Sequence, residues 1–247
     1  MKRIIQRLSF VVALTVLGGS LWQLGHNAWQ TQKTKKALAS VQQVYQQATS
    51  KTVYQVQNAD IRPQFQTLQA INSDIVGWLT IPDTTIDFPI LQAKDNDYYL
   101  THNYKKEPMV AGSIFKDYRN KNEFIDRNTI IYGHYMDNQQ MFGALYAYDN
   151  ATFLKQHPTF TYNTLAVSYD IQVFAVYDTT AQFDYIQTNF ANDTEYAVYL
   201  KTVQKLSKFS TDVTVDVQDR ILTLSTCDLN YSTNGRFVVQ GKIIQKK

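Results

Sequence analysis

A succession of short apolar runs between residues 76 and 244 constrains the fold of this chain most strongly. Runs rich in Val, Ile, Thr, Tyr and Phe form β-strands, and they occur here at 76–81, 85–90, 111–115, 128–133, 159–162, 167–177, 213–217, 221–226 and 236–244. Turn signals such as Pro82-Asp83 and Asn234-Gly235 separate neighbouring runs. Many short strands with few helices predict a mainly β fold that closes into a barrel.

Three other stretches have the apolar spacing of helices. Residues 31–70 are polar and rich in Gln, and they predict a stalk followed by an amphipathic helix that packs on the domain. Helical spacing returns briefly at 141–145 and strongly at 193–209. In the last stretch one apolar stripe is formed by Tyr196, Tyr199, Leu200, Val203 and Leu206. We expect these helices to be additions to the barrel.

The N-terminus predicts the compartment. A basic stretch at 1–7 precedes an uncharged segment at 8–25, close to the minimum of about 18 apolar residues for a membrane span. A cleaved secretory signal and an uncleaved anchor are both compatible with this pattern, and Trp22 and Trp29 favour the anchor. We therefore expect a single-pass cell-membrane protein with its N-terminus inside and its catalytic domain extracellular. The expected divisions are a cytoplasmic tail at 1–7, an anchor at 8–25, a polar stalk with helices at 26–70 and a catalytic domain at 71–247.

Charge and residue spacing exclude two classes of function. The net charge is only +3 and the basic residues are scattered, so the chain lacks the basic surface of a nucleic-acid-binding protein. Its carboxylates do not have the spacing of a calcium loop. One cysteine with dispersed histidines cannot build a tetrahedral zinc site. The sequence therefore predicts no nucleic-acid partner and no metal cofactor.

Cys227 is the sole cysteine, and it ends the strand predicted at 221–226. A lone thiol in an extracytoplasmic domain cannot form an internal disulfide. It is either a reactive nucleophile or a small buried core residue, and the cysteine count alone supports the two interpretations about equally.

Two further residues offer chemistry that fits a nucleophilic thiol. His134 follows the strand predicted at 128–133, at a point where side chains are presented to a cleft, although a surface loop histidine explains it equally well. Arg236 opens the next predicted strand after Cys227, and adjacent antiparallel strands would bring the two side chains to one end of a sheet. A sulfur nucleophile, a proton donor or acceptor and a permanent cation facing an oxyanion together indicate acyl transfer through a thioester.

Seven motifs occur in an order that resembles the sortase family, and class B sortases in particular. They are Gly77-Trp78-Leu79 with Ile86-Asp87-Phe88-Pro89-Ile90, Asp97-Tyr98-Tyr99-Leu100, Gly112-Ser113-Ile114-Phe115, Ile130-Ile131-Tyr132-Gly133-His134, Met141-Phe142, Thr223–Cys227 and Arg236-Phe237-Val238-Val239. The resemblance covers the chain from about residue 71 to its C-terminus. The predicted helix at 193–209 lies where class B members insert a long helix before the cysteine strand.

The resemblance implies an eight-stranded sortase barrel and a membrane-anchored cysteine transpeptidase of a Gram-positive cell. Such enzymes cut a C-terminal sorting signal of surface proteins, Asn-Pro-x-Thr-like in class B, and hold the acyl chain on cysteine. They then pass it to an amine of the cell-wall peptidoglycan precursor, or to a pilin lysine in polymerising members.

The resemblance also assigns roles to residues of this chain. It implies that Cys227 is the nucleophile, that His134 is the general acid/base, and that Arg236 steadies the substrate carbonyl and the oxyanion. The class B groove further implies substrate binding by Asn96, Leu100, Tyr185, Ile186 and Ser225. Asp228, beside the nucleophile, either disfavours the thiolate by like-charge repulsion or is a solvated turn residue. The sequence leaves open whether the resting site holds a thiolate–imidazolium pair.

Three alternatives compete with cell-wall anchoring. One is a pilin polymerase that joins subunits through a lysine. Another is a papain-like hydrolase, which the residue order disfavours because His134 precedes Cys227 here. The third is an inactive membrane-tethered binding module, which would have no need of Cys227, His134 and Arg236 together.

Overall fold

The computed structural model describes residues 2–51, 61–121, 125–227 and 234–246. Its strands are β1 (Ile75–Thr80), β2 (Asp87–Leu91), β3 (Ile114–Lys116), β4 (Asn128–Tyr132), β5 (Thr159–Thr164), β6 (Ser168–Thr180), β7 (Ile221–Cys227) and β8 (Gly235–Gln245). They close into a barrel in the order β1-β2-β3-β4-β7-β8-β6-β5. The β2–β3 and β4–β7 pairs are parallel, and the other neighbouring strands are antiparallel. This arrangement confirms the predicted fold class.

The helices are α1 (Lys2–Lys51), α2 (Pro63–Ile71), α3 (Ala151–Gln156) and α4 (Asp193–Leu206), with 3-10 helices at Tyr98–Leu100 and Phe142–Asp149. Chain contacts divide the protein into two compact units, Met1–Ser40 and Val41–Lys247. Within the second unit the end of α1 packs on the barrel. There, Tyr45 stacks on Trp78 with ring centroids 4.0 Å apart, and its hydroxyl accepts a hydrogen bond from Asn163 at 3.1 Å.

The expectation of a single-pass membrane protein is wrong. Among the residues that the structure describes, no helix combines the length and the apolar character needed to cross a membrane. The uncharged segment 8–25 interrupts its apolar residues with Thr15, Ser20, Gln23 and three glycines. Such residues lower the gain from transferring a helix into hydrocarbon.

Helix α4 begins at a well-formed cap and packs through one apolar face. The Asn192 side chain accepts a hydrogen bond from the Glu195 backbone N–H at 3.0 Å, and the Glu195 carboxylate accepts one from the Ala191 N–H at 2.7 Å. These bonds satisfy amide groups that a helix start otherwise leaves without partners. The buried face joins an apolar cluster formed by Phe174, Ala175, Tyr177, Tyr185, Tyr196, Tyr199, Leu200, Val203, Ile221 and Val238. This cluster places α4 and the segment before it beside β6, β7 and β8.

Two local predictions differ from the structure. Residues 213–217 were expected to form a strand, but this described segment is irregular. Its alternation arises because Val213, Val215 and Val217 pack, half-buried, against the apolar cluster below α4 without a hydrogen-bonded strand partner. The helical signal at 141–145 corresponds to a 3-10 helix at Phe142–Asp149, and the short helix α3 that follows it was not predicted.

Gly112 supports the 3-10 helix at Tyr98–Leu100. Its φ angle is +57°, and a Cβ atom there would lie 2.4 Å from the Tyr99 carbonyl oxygen and 2.6 Å from that of Leu100. The next residue, Ser113, donates its backbone N–H to the Tyr99 carbonyl at 2.9 Å. Only glycine combines this conformation with such a close approach of two backbone segments.

We therefore expect Gly112→Ala to lower the free energy of unfolding by about 2–3 kcal/mol, because the new methyl group meets backbone atoms that cannot move away. Urea denaturation of the full chain followed by fluorescence measures this change. Val110→Ala, at a neighbouring position that is 68% exposed, is the control and should change stability by less than about 0.5 kcal/mol. Equal stability of the Gly112→Ala and Val110→Ala proteins would contradict the role given to Gly112.

Candidate active site

The pairing of three strands brings a cysteine, a histidine and an arginine to one edge of the barrel. In the parallel pair β4–β7, Tyr132 lies opposite Ser225. His134 and Cys227 are each two residues further along, so the chain delivers them side by side. In the antiparallel pair β7–β8, Cys227 lies opposite Arg236, and such facing residues have Cβ atoms about 5 Å apart.

A groove with a volume of about 340 Å³ runs along this edge. The three residues that we expected to be catalytic line it together with all five that we expected to bind substrate. The full lining is Asn96, Leu100, Phe115, Tyr132, Gly133, His134, Ala181, Tyr185, Ile186, Ser225, Thr226, Cys227 and Arg236. The eight positions inferred from the sequence therefore share one surface.

A larger pocket of about 570 Å³ is lined in part by residues 92–95, the segment that precedes Asn96 of the groove. Its lining includes Asp74, Lys94, Asp95 and Lys106, and it holds none of the three residues His134, Cys227 and Arg236. Asp74 and Lys106 neutralise each other in an ion pair of 2.9 Å. We place the chemistry in the smaller groove because that groove contains the nucleophile and a proton-transfer group.

His134 is half-buried and is oriented by two backbone contacts. Its Nε2 lies 2.8 Å from the Leu100 carbonyl oxygen, and its own carbonyl accepts the Phe142 N–H at 3.0 Å. A carbonyl oxygen can only accept a hydrogen bond, so Nε2 carries a proton in this contact. Nδ1 is then the ring nitrogen that can exchange a proton with the reacting groups.

Cys227 and Arg236 present a thiol and a cation at the open end of the β7–β8 ladder. Cys227 is a free, half-buried thiol. The guanidinium of Arg236 is held in place by a hydrogen bond from Nη1 to the Gly235 carbonyl at 2.7 Å. A fixed cation next to a nucleophile can stabilise the negative charge that develops on a carbonyl oxygen during attack.

Tyr185 and Ser225 form a buried hydroxyl pair in the groove wall. The two hydroxyl oxygens are 2.8 Å apart. Burial raises the pKa of the Tyr185 phenol, and this effect outweighs the opposing influence of the Ser225 hydrogen bond and of the Arg236 charge. Tyr185 therefore stays neutral at physiological pH, as a hydrogen-bonding group rather than a base.

Asn96 is held at both ends of its amide. Its Nδ2 donates to Asp117 Oδ2 at 3.1 Å, and its Oδ1 accepts the Tyr118 N–H at 3.1 Å. Leu100 and Ile186 supply apolar surface in the same groove. Asp117 was not predicted to belong to the site. Its only signal in the sequence is that it is acidic and closely follows the apolar strand predicted at 111–115. Asp228, for which an electrostatic effect was considered, lies outside the described residues.

Comparison with known proteins is consistent with this geometry. A family model described as a sortase domain matches residues 79–244. The chain is 46% identical over 239 residues to sortase B of Listeria monocytogenes, with 95% of this chain and 96% of that protein covered.

Solved structures of sortase B also resemble this one. A Staphylococcus aureus sortase B–substrate complex has a TM-score of 0.81 at 37% identity, covering 88% of this chain and 99% of that chain. A sortase B structure in complex with triglycine has a TM-score of 0.80 at 38% identity, covering 87% and 99% of the two chains.

The chain therefore belongs to the sortase family, and its own cysteine ends a strand of a closed eight-stranded barrel. Its relatives are class B enzymes, and it is a cysteine transpeptidase of the sortase B type.

The buried hydroxyl pair gives a prediction for stability. Tyr185→Phe and Ser225→Ala should each lower the free energy of unfolding by about 1–2 kcal/mol, because each leaves one buried hydroxyl without its partner. The double variant should be little worse than either single variant, since no orphaned hydroxyl remains. Urea denaturation of the four proteins measures the coupling as a double-mutant cycle, and strictly additive losses would argue against the pair.

Proposed function

We propose that this enzyme cleaves an Asn-Pro-x-Thr-like C-terminal sorting signal of surface proteins and transfers the new carboxyl end to an amine of cell-wall peptidoglycan. The observation that carries the proposal is the convergence of Cys227, His134 and Arg236 in one groove with a volume of about 340 Å³. We further propose that the catalytic domain corresponds to residues 71–247.

The proposed reaction has two acyl-transfer steps. The Cys227 sulfur, whose proton passes to His134, attacks the carbonyl carbon of the signal's Thr. The C–N bond then breaks, and the amide nitrogen of the next residue leaves with the proton returned by His134. The product is a thioester on Cys227 and a free C-terminal fragment. An incoming amine then attacks the thioester, loses a proton to His134 and restores the thiol as the new amide forms.

Arg236 would stabilise the oxyanion in both steps. The charge on the carbonyl oxygen is greatest in the tetrahedral intermediate, so a cation already fixed by the Gly235 carbonyl lowers that barrier without reorganising. A planar guanidinium can donate two parallel hydrogen bonds, whereas an ammonium acts as a point charge.

The groove chemistry suits an extended peptide with one apolar and several polar contacts. Leu100 and Ile186 would form the apolar subsite, and Asn96, Tyr185 and Ser225 would supply hydrogen bonds. The structures of sortase B with a substrate and with triglycine support a peptide signal and an amine acceptor respectively.

One prediction of the proposed reaction concerns the nucleophile. Cys227→Ala should abolish cleavage of a synthetic Asn-Pro-Ala-Thr peptide, while its circular dichroism spectrum stays that of the wild type. Mass spectrometry of the wild-type protein should detect the peptide acyl group on Cys227, and added triglycine should give a peptide–triglycine product. Cleavage by Cys227→Ala would refute the mechanism, and hydrolysis without any triglycine adduct would refute transfer.

Another prediction of the proposed reaction concerns the Arg236 cation. Arg236→Lys should lower kcat/KM by about 100-fold or more, because the charge remains but the planar donor is lost. Arg220→Lys is the matched control, since Arg220 is half-buried at the opposite end of β7 and lies over the Tyr169 ring. The control should turn over the peptide at the wild-type rate. Normal turnover by Arg236→Lys would exclude the oxyanion role.

A further inference from the structure

A buried carboxylate lies behind the groove and takes no part in the proposed acyl transfer. The side chain of Asp117 is 0% exposed. Its Oδ1 accepts hydrogen bonds from the Arg119 Nε and backbone N–H, each at 2.9 Å. Its Oδ2 accepts from Arg119 Nη2 at 2.7 Å, from the Tyr132 hydroxyl at 2.8 Å and from Asn96 Nδ2 at 3.1 Å. Asp117 thus has hydrogen-bond donors on both oxygens.

The groups bound to this carboxylate belong to different walls of the groove. Asn96 comes from the loop before the 3-10 helix, and Tyr132 from β4, two residues before His134. Arg119 extends the connection, because its Nη2 also donates to the Ile186 carbonyl at 3.1 Å. One buried carboxylate and one arginine therefore join the Asn96 side, the β4 side and the Ile186 side of the groove.

The Ile186 side is irregular backbone, yet four successive carbonyl groups in it accept hydrogen bonds. The Tyr185 carbonyl accepts the Tyr199 hydroxyl at 2.7 Å. The Ile186 carbonyl accepts the Arg119 guanidinium. The Gln187 and Thr188 carbonyls accept Asn128 Nδ2 at 2.9 Å and the Asn128 backbone N–H at 3.1 Å. Arg119, whose side chain is 37% exposed, is the donor of this set that also binds the Asp117 carboxylate.

We propose that Asp117 and Arg119 form a positioning pair that fixes the separation between the Asn96 and Ile186 walls and so determines how tightly the sorting signal binds. This inference rests on the proposed function, since it assigns the groove to a peptide. Neither residue touches the reacting atoms. Their effect on catalysis passes through Asn96 and Ile186.

The charge state of Asp117 supports an ion pair with Arg119 that persists at physiological pH. Burial raises the pKa of the Asp117 carboxyl, but hydrogen bonds from Arg119 and Tyr132 together outweigh burial and bring that pKa below its ordinary value. Asp117 is therefore ionised at physiological pH. Its attraction for Arg119 is present above the ordinary carboxyl range and is lost only as the pH falls through the lowered pKa.

The experiment compares Arg119→Gln and Arg119→Lys with a matched control in the full chain. Arg127→Gln is the control, because Arg127 is 31% exposed against 37% for Arg119 and pairs with Asp193 at 2.8 Å. Arg127 also donates to a backbone carbonyl, that of Val217, but neither Val217 nor Asp193 lines the groove, whereas the Arg119 partner Ile186 does. Steady-state cleavage of the Asn-Pro-Ala-Thr peptide gives KM and kcat, and alkylation of Cys227 by iodoacetamide reports the reactivity of the thiol.

Arg119→Gln should raise KM about ten-fold and leave kcat and the alkylation rate within about two-fold of the wild type, because binding is lost without loss of chemistry. The KM of Arg119→Lys should lie between the values for the wild type and Arg119→Gln, since lysine keeps the charge but cannot bridge a carboxylate and a carbonyl as a planar fork. Arg127→Gln should leave KM unchanged. An unchanged KM in Arg119→Gln, or an equal rise in Arg127→Gln, would overturn the inference.

A binding measurement separates this inference from the proposed function. Fluorescence anisotropy of the labelled peptide is measured with Cys227→Ala and with Cys227→Ala/Arg119→Gln, and the second protein should bind about ten-fold more weakly. Equal affinities would refute the positioning role alone. Peptide binding without wild-type turnover would refute the proposed function alone, and the absence of any binding would refute both.

Discussion

The parallel pairing of β4 with β7 is the constraint on which the site depends. The register sets Tyr132 opposite Ser225, so His134 and Cys227 leave the barrel together although they are far apart in the sequence. Parallel strands cannot be joined by a tight turn, and the intervening chain forms β5, β6 and α4. A shift of one residue in this register would turn one of the two side chains to the other face of the sheet.

A second constraint is that the buried polar groups below the groove need hydrogen-bond partners. Thr223 donates to Asn128 Oδ1 at 2.7 Å, and Gln240 Nε2 donates to Thr223 at 2.8 Å and to Tyr199 at 2.7 Å. Through Asn128 and Tyr199 this network reaches the carbonyls of the irregular segment 185–188. A segment without strand partners is thus held by side chains, because an unsatisfied buried carbonyl is costly.

Much of the fold and of the groove lining was accessible from the pattern of residues. Alternating or continuous apolar runs located the eight observed strands, because a pleated strand with a buried face has a recognisable period. The apolar run at 213–217 was wrongly predicted to be a strand, since Val213, Val215 and Val217 pack against the apolar cluster without a strand partner. The membrane-span expectation was wrong, because no helix among the described residues is long and apolar enough to cross a membrane. Asp117 and Arg119 were missed because most of their partners are distant in sequence.

The amino-acid order alone established the barrel of short strands, the single thiol and the ordered sortase motifs, because local periodicity and residue chemistry are properties of short segments. Three features of the site became visible only in the folded structure. They are the orientation of His134 by the Leu100 carbonyl, the neutral Tyr185–Ser225 pair and the joining of the groove walls by Asp117 and Arg119. Each of these depends on contacts between segments far apart in sequence. Their geometry follows from strand register and burial, which no local pattern of residues specifies.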